Sequence, residues 1–255
     1  MKGSPSVTSM HFFHHRWPVF FEDNHVLSLY KPAGLLMQGD RSGAPCLLDL
    51  ARSWIKERHH KPGRVFLGLV HRLDRPVAGI VLFARTSKAA SRLSARIREG
   101  QIRKSYIAIL EGIPPSPSGD LVHFFECEKG RNRIQSMPGK GVKEARLSFQ
   151  VLESVGKQTL VKINLQTGRK HQIRLQFAQI GCPVMGDVRY GASAPLSGRQ
   201  IALFSKEIAF QHPTRPEEIT LSSPLPVGWP WGSGLDTTDA PLWNWDDFAL
   251  PIISG

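Results

Sequence analysis

The alternation of apolar and polar residues along the chain predicts a β-rich fold. Residues 145–151 and 161–166 place apolar side chains at every second position, which is typical of strands that bury one face. Single-sided burial favours antiparallel pairing, so we expect these two strands in an antiparallel sheet. Further strands are expected over Val19–Phe21, Val26–Tyr30, Val65–Val70, Ile80–Ala84 and Ile102–Leu110.

Three segments have the periodicity of amphipathic helices. Leu47–Arg58 places apolar residues at three- and four-residue steps. A second helix is expected after Thr86-Ser87, which can cap it, and should end at Gly100. A third is expected after Thr167-Gly168, with Gly181 just past its end. Strands in the majority, with helices covering the sheet, predict an α+β fold with a mixed, largely antiparallel β-sheet and flanking helices.

Composition divides the chain into three parts. Residues 1–16 are predicted to be a loose N-terminal leader, residues 17–231 a single domain, and residues 232–255 an acidic, tryptophan-containing tail. Beyond Gln211 the chain is rich in proline, and we expect this end to pack on the body as a tail or to be partly disordered.

The charge is strongly basic and unevenly distributed. The 255 residues carry 33 Lys and Arg against 21 Asp and Glu, a formal net charge of +12. No Lys or Arg follows Arg215, so the basic excess lies entirely before that point. A body with this charge attracts polyanions, and nucleic acid is the leading candidate partner. A basic protein without a nucleic-acid partner is the alternative.

Cysteine spacing and hydropathy exclude further classes of protein. Cys46, Cys127 and Cys182 are far apart and odd in number, so we expect neither a disulfide framework nor a metal site. No segment reaches the roughly 18 apolar residues of a membrane helix. The sequence also has no glycine-rich phosphate loop of the P-loop or Rossmann type. We therefore expect a cytoplasmic protein that needs no metal and no small-molecule cofactor.

One acidic residue stands between two arginines in the sequence His71-Arg72-Leu73-Asp74-Arg75-Pro76-Val77-Ala78-Gly79. Pro76 favours an extended conformation of Arg75, so Asp74 should lie on a short loop between two strands. Neighbouring guanidinium groups favour the ionised carboxylate, which can act as a nucleophile or a base. The alternative, of equal weight on this segment alone, is a structural acid that caps the loop or pairs with Arg72 or Arg75.

Two further segments carry candidate binding chemistry. Gly168-Arg169-Lys170-His171 places cationic or ionisable groups at the predicted start of the third helix, where the helix dipole also favours phosphate. Arg174, one turn later, can point toward a carboxylate; a solvated basic helix start is the alternative. Tyr106 lies beside two basic residues on a predicted strand and can stack on a base, although core packing is its default role. The basic segment 129–143 suits RNA backbone contact or is a flexible, solvated loop.

Together these segments resemble the RluA-type RNA pseudouridine synthases. The motifs stand in the family's order and cover residues 17–212. The matching segments are Lys31-Pro32-Ala33-Gly34, His71-Arg72-Leu73-Asp74-Arg75 with Gly79, Tyr106-Ile107-Ala108 with Glu111-Gly112, residues 168–174, and residues 181–187 with Tyr190-Gly191.

This resemblance implies the pseudouridine synthase fold and an enzyme that isomerises a uridine in tRNA or rRNA to pseudouridine. Asp74 matches the catalytic aspartate, Tyr106 the tyrosine that stacks on the flipped uracil and helps deprotonate the product, and Arg174 the arginine that pairs with the aspartate. Arg72 matches an arginine that contacts RNA near the flipped base. The other RNA-binding residues expected are Lys31, Arg75, Arg169, Lys170 and His171. Nothing requires more than a monomer.

The chain departs from the family pattern at several positions. Val77-Ala78 replaces the usual Thr-Ser, which removes two hydroxyls from the loop after Asp74. Gln176 and Phe204 stand at positions where the family often has histidine. Because the first motif begins so early, no separate N-terminal S4-like RNA-binding domain is expected, and the catalytic domain must supply its own RNA contacts.

Two other classes of function compete with this interpretation. A non-catalytic RNA-binding protein on the same scaffold would have no use for the carboxylate of Asp74, which repels phosphate. A nucleoside hydrolase or base-excision glycosylase would also act at a glycosidic bond with a carboxylate. The tyrosine motif and the third motif argue against that second class.

Overall fold

The computed structural model of the chain describes residues 19–128, 131–225 and 229–231. Within these residues an 11-stranded sheet forms the body, and helices pack against it. No helix in the described ranges is long and apolar enough to cross a membrane. The predicted leader, residues 1–16, and the predicted tail, residues 232–255, lie outside the described residues.

The elements follow one another along the chain as β1 (Val19–Glu22), β2 (Val26–Lys31), α1 (Leu47–Arg58), β3 (Gly68–Leu69), β4 (Ala78–Ala84), α2 (Ser87–Arg98), β5 (Arg103–Glu111), β6 (Ser118–Glu128), β7 (Arg131–Gln135), β8 (Val142–Val155), β9 (Gln158–Leu165), α3 (Gln172–Gln179), β10 (Leu203–Gln211) and β11 (Glu218–Ser222). Two short 3₁₀ turns, Val188–Tyr190 and Ser197–Arg199, lie between α3 and β10.

The sheet is mixed and largely antiparallel, as predicted. Its strands run in the order β1-β2-β4-β10-β5-β9-β8-β6-β7, with β3 beside β4 and β11 beside β10. Among the described strands only β4 and β10 pair in parallel, through Ala78 with Phe204 and Gly79 with Ser205. Gly79 has φ +122°, and a Cβ there would lie 2.2 Å from the Ser205 carbonyl oxygen. Glycine therefore lets the two central strands meet directly after the Asp74 loop.

Both faces of the central strands are covered, which explains the unbroken apolar run of β4. Ile80 and Leu82 lie in one cluster with residues of α2, whereas Val81 and Phe83 lie in a larger cluster that includes residues of α1 and α3. Successive strand residues point to opposite faces, so an entirely buried strand must be apolar throughout. The predicted cap of α2 is confirmed, because Thr86 Oγ1 accepts a hydrogen bond from the Ala89 amide at 3.1 Å.

The predicted strand Val65–Val70 is wrong in extent, because only Gly68–Leu69 forms ladder pairs. These two residues pair with Ala84 and Phe83 at the end of β4, while β10 occupies the beginning of the same edge. Little of that edge is left for a longer strand, and Phe66 is half exposed.

Two segments predicted as loop or tail contain strands. The basic segment 129–143 includes β7 and the start of β8, and β7 is held by β6. The proline-rich end beyond Gln211 contains β11, which pairs with β10. Further along, Trp231 donates from Nε1 to Glu153 at 2.6 Å, so this end packs on the body.

Candidate active site

A cleft of about 810 Å³ collects residues from the separated motifs of the sequence. Its wall includes Asp74 from the loop between β3 and β4, Tyr106 from β5, and Arg174 from α3. Lys104 and His171 line the same cleft. The three residues expected to be catalytic therefore face one space.

Asp74 pairs with a residue far along the chain rather than with its neighbours. Arg174 Nη1 donates to Asp74 Oδ2 at 3.1 Å, and His171 Nε2 lies 3.8 Å from the other oxygen. The Asp74 side chain keeps 23% of its surface exposed and faces the cleft. The alternative pairing with Arg72 or Arg75 is wrong: both are exposed, and Arg75 Nε donates to the Gly34 carbonyl at 2.8 Å.

Arg174 is anchored from behind by a second carboxylate. Its Nε and Nη2 donate to Asp187 Oδ2 and Oδ1 at 2.6 and 2.8 Å, and Asp187 is only 2% exposed. Burial alone would disfavour the charge of Arg174, but the hydrogen bonds and charges of Asp187 and Asp74 outweigh it and raise the pKa of the guanidinium. Sequence reasoning did not single out Asp187. The signal that could have identified it is the one acidic residue in segment 181–187, which otherwise has no charged residue and which resembles a family motif.

His171 and Tyr190 complete the surroundings of Asp74. The Tyr190 hydroxyl lies 2.7 Å from His171 Nδ1, and the Arg174 guanidinium lies 5.0 Å from the centre of the Tyr190 ring. His171 has φ +56°, a left-handed conformation that is uncommon for a residue other than glycine. Backbone strain of this kind persists where surrounding contacts hold it, often at functional sites.

The turn before α3 differs from the sequence-based expectation. The helix begins at Gln172, so Arg169 and Lys170 lie in a preceding turn and do not open the helix. The Gln172 side chain fixes this turn, because its Oε1 accepts from the Arg169 amide at 2.9 Å and from Thr167 Oγ1 at 2.8 Å. Lys170 is exposed and Arg169 is half-buried at the cleft.

Lys31 is not at the surface where the sequence placed an RNA contact. It is 0% exposed, and its ammonium donates to the carbonyls of Pro32, Arg75 and Val77 at 3.0, 3.1 and 2.7 Å. Burial lowers the pKa of Lys31 to about 7, although the charge of Asp74 acts in the opposite direction. Lys31 therefore ties the part of the loop that directly follows Asp74 to the end of β2.

Tyr106 lies deep in the cleft. It is 5% exposed and sits between Ile163 of β9 and Ser205 of β10 in the sheet register. Burial raises the pKa of its phenol, and only a hydrogen bond with the Ser205 side chain acts against this rise. The phenol is therefore protonated at neutral pH, and its ring offers a flat apolar face to a ligand.

The departures from the family pattern have structural explanations. Gln176 is fully buried, and its Nε2 donates to the carbonyls of Leu121 and Ala145 at 2.9 and 3.0 Å. Phe204 is also fully buried, with its ring near Trp229. Val77 and Ala78 are core residues. Val77 also lines the cleft, whereas Ala78, Gln176 and Phe204 are not among its lining residues.

Comparison with known proteins agrees with this geometry. Residues 25–179 match the family model described as RNA pseudouridylate synthase. The chain is 31% identical over 214 residues to an uncharacterized RNA pseudouridine synthase of Bacillus subtilis, covering 82% of this chain and 68% of that protein. It is 30% identical over 218 residues to ribosomal large subunit pseudouridine synthase C of Buchnera aphidicola, covering 81% of this chain and 66% of that one. The chain thus spans about two thirds of the length of these relatives.

Solved structures show the same fold. Human RNA pseudouridylate synthase domain containing 4 superposes with a TM-score of 0.69 at 24% identity, covering 83% of this chain and 89% of that one. Human RNA pseudouridylate synthase domain containing 1 gives a TM-score of 0.63 at 22% identity, covering 88% and 86%. With the family match over more than half of its length, this chain belongs to the RNA pseudouridylate synthase family, a class of isomerases.

Proposed function

We propose that this protein isomerises a uridine in RNA to pseudouridine, with Asp74 as the nucleophile. The observation that carries the proposal is the pairing of Asp74 with Arg174 on the wall of a cleft that also contains Tyr106. The guanidinium fixes the orientation of the carboxylate, while part of Asp74 stays open to the cleft. An oriented, partly accessible carboxylate is suited to nucleophilic attack.

In the proposed reaction the Asp74 carboxylate attacks the target nucleoside and the glycosidic bond between C1′ and N1 breaks. The uracil turns within the cleft, a new bond forms between C1′ and C5, and the bond between Asp74 and the nucleoside breaks, which returns the free carboxylate. C5 then loses its proton and N1 gains one, so substrate and product are isomers and no oxidant or group donor is consumed. Tyr106 would stack on the uracil, and its protonated hydroxyl would assist the proton removal as a relay that gives up its own proton as it takes the one from C5.

The depth of the site supports base flipping. Tyr106 is 5% exposed, so a uridine stacked in a helix could not reach it. Extruding a base costs a few kcal/mol, and basic side chains that line the cleft would help to offset that cost by holding the displaced strand. We propose this role for Arg72, Arg75, Arg169, Lys170 and His171, and we assign Lys31 to holding the loop instead.

The proposed substrate is a structured RNA, either tRNA or rRNA. The name of the Buchnera relative refers to the ribosomal large subunit, which makes rRNA the first substrate to test. We also propose that the protein acts in the cytoplasm as a monomer.

Pseudouridine mapping of total RNA tests this function. The comparison uses cells with the wild-type gene, without it, and with the gene carrying Asp74→Asn. At least one pseudouridine should disappear without the gene and stay absent with Asp74→Asn. The variant Asp120→Asn, which removes an exposed carboxylate on β6, should restore that pseudouridine. Identical maps in all four strains would rule out the proposed function.

A further inference from the structure

Lys104 places a cation in the cleft next to the proposed base-stacking residue. It precedes Tyr106 by two positions on β5, so both side chains point to the same face of the sheet. Lys104 is 9% exposed and lines the cleft together with Tyr106 and Asp74. The resemblance to the family did not assign a role to this residue.

The ammonium of Lys104 has no partner of opposite charge in the described part of the chain. Burial lowers its pKa, and no hydrogen bond or neighbouring carboxylate acts against this shift. On one side lies His71, whose Nε2 accepts the Leu82 amide at 2.9 Å and whose pKa is lowered to about 3 by burial and by Lys104 itself. His71 is therefore neutral and does not compensate the charge.

On the other side Lys104 lies against the turn before α3. A Cβ at position 168 would lie 3.4 Å from Lys104 Nζ, at ordinary contact distance, so the ammonium lies directly beside the backbone of this turn. Arg169 and Lys170 follow in the same turn and add positive potential at the cleft. A buried, unpaired charge is unfavourable, so a ligand that supplies an anion there would bind strongly.

Resting on the proposed function, we infer that Lys104 and the turn at Gly168 form a subsite for a backbone phosphate of the RNA beside the target uridine. The uracil itself is the other source of a negative oxygen in this cleft. The reacting edge of the uracil must lie near Asp74. The charge of Asp74 raises the pKa values of the groups around it, which are Lys31, Tyr106, His171 and Arg174. Lys104 instead lies beside the Gly168 turn, next to Arg169 and Lys170, and this basic surrounding favours a phosphate of the nucleotide backbone over the reacting base.

The first test is Lys104→Met, which keeps the length of the side chain and removes its charge. The dissociation constant for the substrate RNA should rise about 10- to 100-fold, the range of a hydrogen bond to a charged group. The thermal midpoint should stay equal or rise, because an unpaired buried charge has been removed. A lowered midpoint with unchanged affinity would identify Lys104 as structural and overturn the inference.

Lys162→Met is the matched control. Lys162 is exposed on the neighbouring strand β9 and pairs in register with Ile107, whereas Lys104 pairs with Leu165. Its side chain therefore points to the opposite face of the sheet. This variant loses the same charge, and its RNA affinity should change less than threefold, a small effect expected for one distant surface charge.

A neutral linkage in the RNA identifies the anion. Replacing single phosphates around the target uridine by methylphosphonate should weaken binding to the wild-type protein at one position, and binding of Lys104→Met should be insensitive to that same replacement. Additive losses at every position would contradict a phosphate contact. A loss of affinity in Lys104→Met with no sensitive linkage would favour a uracil oxygen instead, and would also overturn the inference.

Affinity and product formation separate the two proposals. If the wild-type protein forms pseudouridine while Lys104→Met binds RNA normally, the subsite is wrong and the proposed function stands. If Lys104→Met shows the expected loss of affinity but the wild-type protein forms no pseudouridine, the subsite stands and the proposed function is wrong.

Discussion

The Arg174 guanidinium lies 3.1 Å from the Asp74 carboxylate, although 100 residues separate them along the chain. Two shorter bonds hold the same guanidinium on the buried Asp187. Arg174 is thus fixed on its inner side and presents its remaining nitrogen to Asp74. One arginine joins the loop after β3 to α3 and sets the orientation of the proposed nucleophile.

Arg174→Ala should lower both stability and rate. Removing one partner leaves Asp187 buried without compensation, which costs about 3–5 kcal/mol in the free energy of unfolding. Asp74 would also lose its orienting partner, and misplacement of a reacting group costs roughly 10²-fold in rate. Urea denaturation and single-turnover pseudouridine formation measure the two effects.

The double variant Arg174→Ala, Asp187→Ala separates these effects. It removes the uncompensated buried carboxylate, so much of the stability should return while the rate stays low. Full activity in this double variant would show that Arg174 does not orient Asp74.

Tyr106→Phe should keep RNA affinity and lose turnover. The phenyl ring preserves the stacking surface, whereas the protonated phenol is lost, and positioned acid–base groups contribute about 10²–10⁴-fold. Tyr106→Leu should lose affinity as well, because stacking on an aromatic ring contributes about 1–3 kcal/mol per base. Equal rates for the wild-type protein and Tyr106→Phe would leave the tyrosine with a stacking role only. Affinity and single-turnover rate are measured on the same RNA.

Tyr190→Phe tests the contact between Tyr190 and His171. The ring beneath Arg174 remains, but the hydroxyl that lies 2.7 Å from His171 Nδ1 is removed. We expect a reduced turnover number, an unchanged Michaelis constant, and a stability loss of about 0.5–1.5 kcal/mol. A change in the Michaelis constant alone would instead assign the pair to RNA binding.

Lys31 predicts a pH dependence of stability. The fold depresses its pKa from 10.5 to about 7, so between these values the unfolded chain binds more protons than the folded one. The contribution of Lys31 to the free energy of unfolding therefore increases as pH rises through this window. The difference in unfolding free energy between the wild-type protein and Lys31→Met should change in that direction from pH 7 to pH 10. A constant difference would show that the three carbonyl contacts preserve an ordinary lysine pKa.

Local sequence patterns were sufficient to predict the helices and strands whose own residues carry a burial pattern or a capping residue. The alternation of residues 145–151 predicts a part of β8, and the capping residue Thr86 marks the start of α2. The polar and charged strand β7 gave no such signal, because pairing with β6 rather than burial defines it. β10 was missed although it lies at the centre of the sheet, since its partners β4 and β5 are distant in the chain.

In the candidate site, too, some features were predictable from the sequence and others depend on contacts between distant parts of the chain. The resemblance predicts the pairing of Asp74 with Arg174, and the geometry of the two residues agrees with it. The burial of Lys31 was not predictable, because two of its three carbonyl partners are 44 and 46 residues away. The anchoring of Arg174 by Asp187 likewise depends on how the segment after α3 folds back over the helix.

The most direct measurement of the central claim uses purified wild-type and Asp74→Asn protein with one substrate RNA. RNA affinity and single-turnover pseudouridine formation are determined side by side. The substitution is nearly isosteric, so affinity should stay within a few-fold of wild type while no pseudouridine forms. Pseudouridine formation at the wild-type rate by Asp74→Asn would contradict the assignment of Asp74 as the nucleophile.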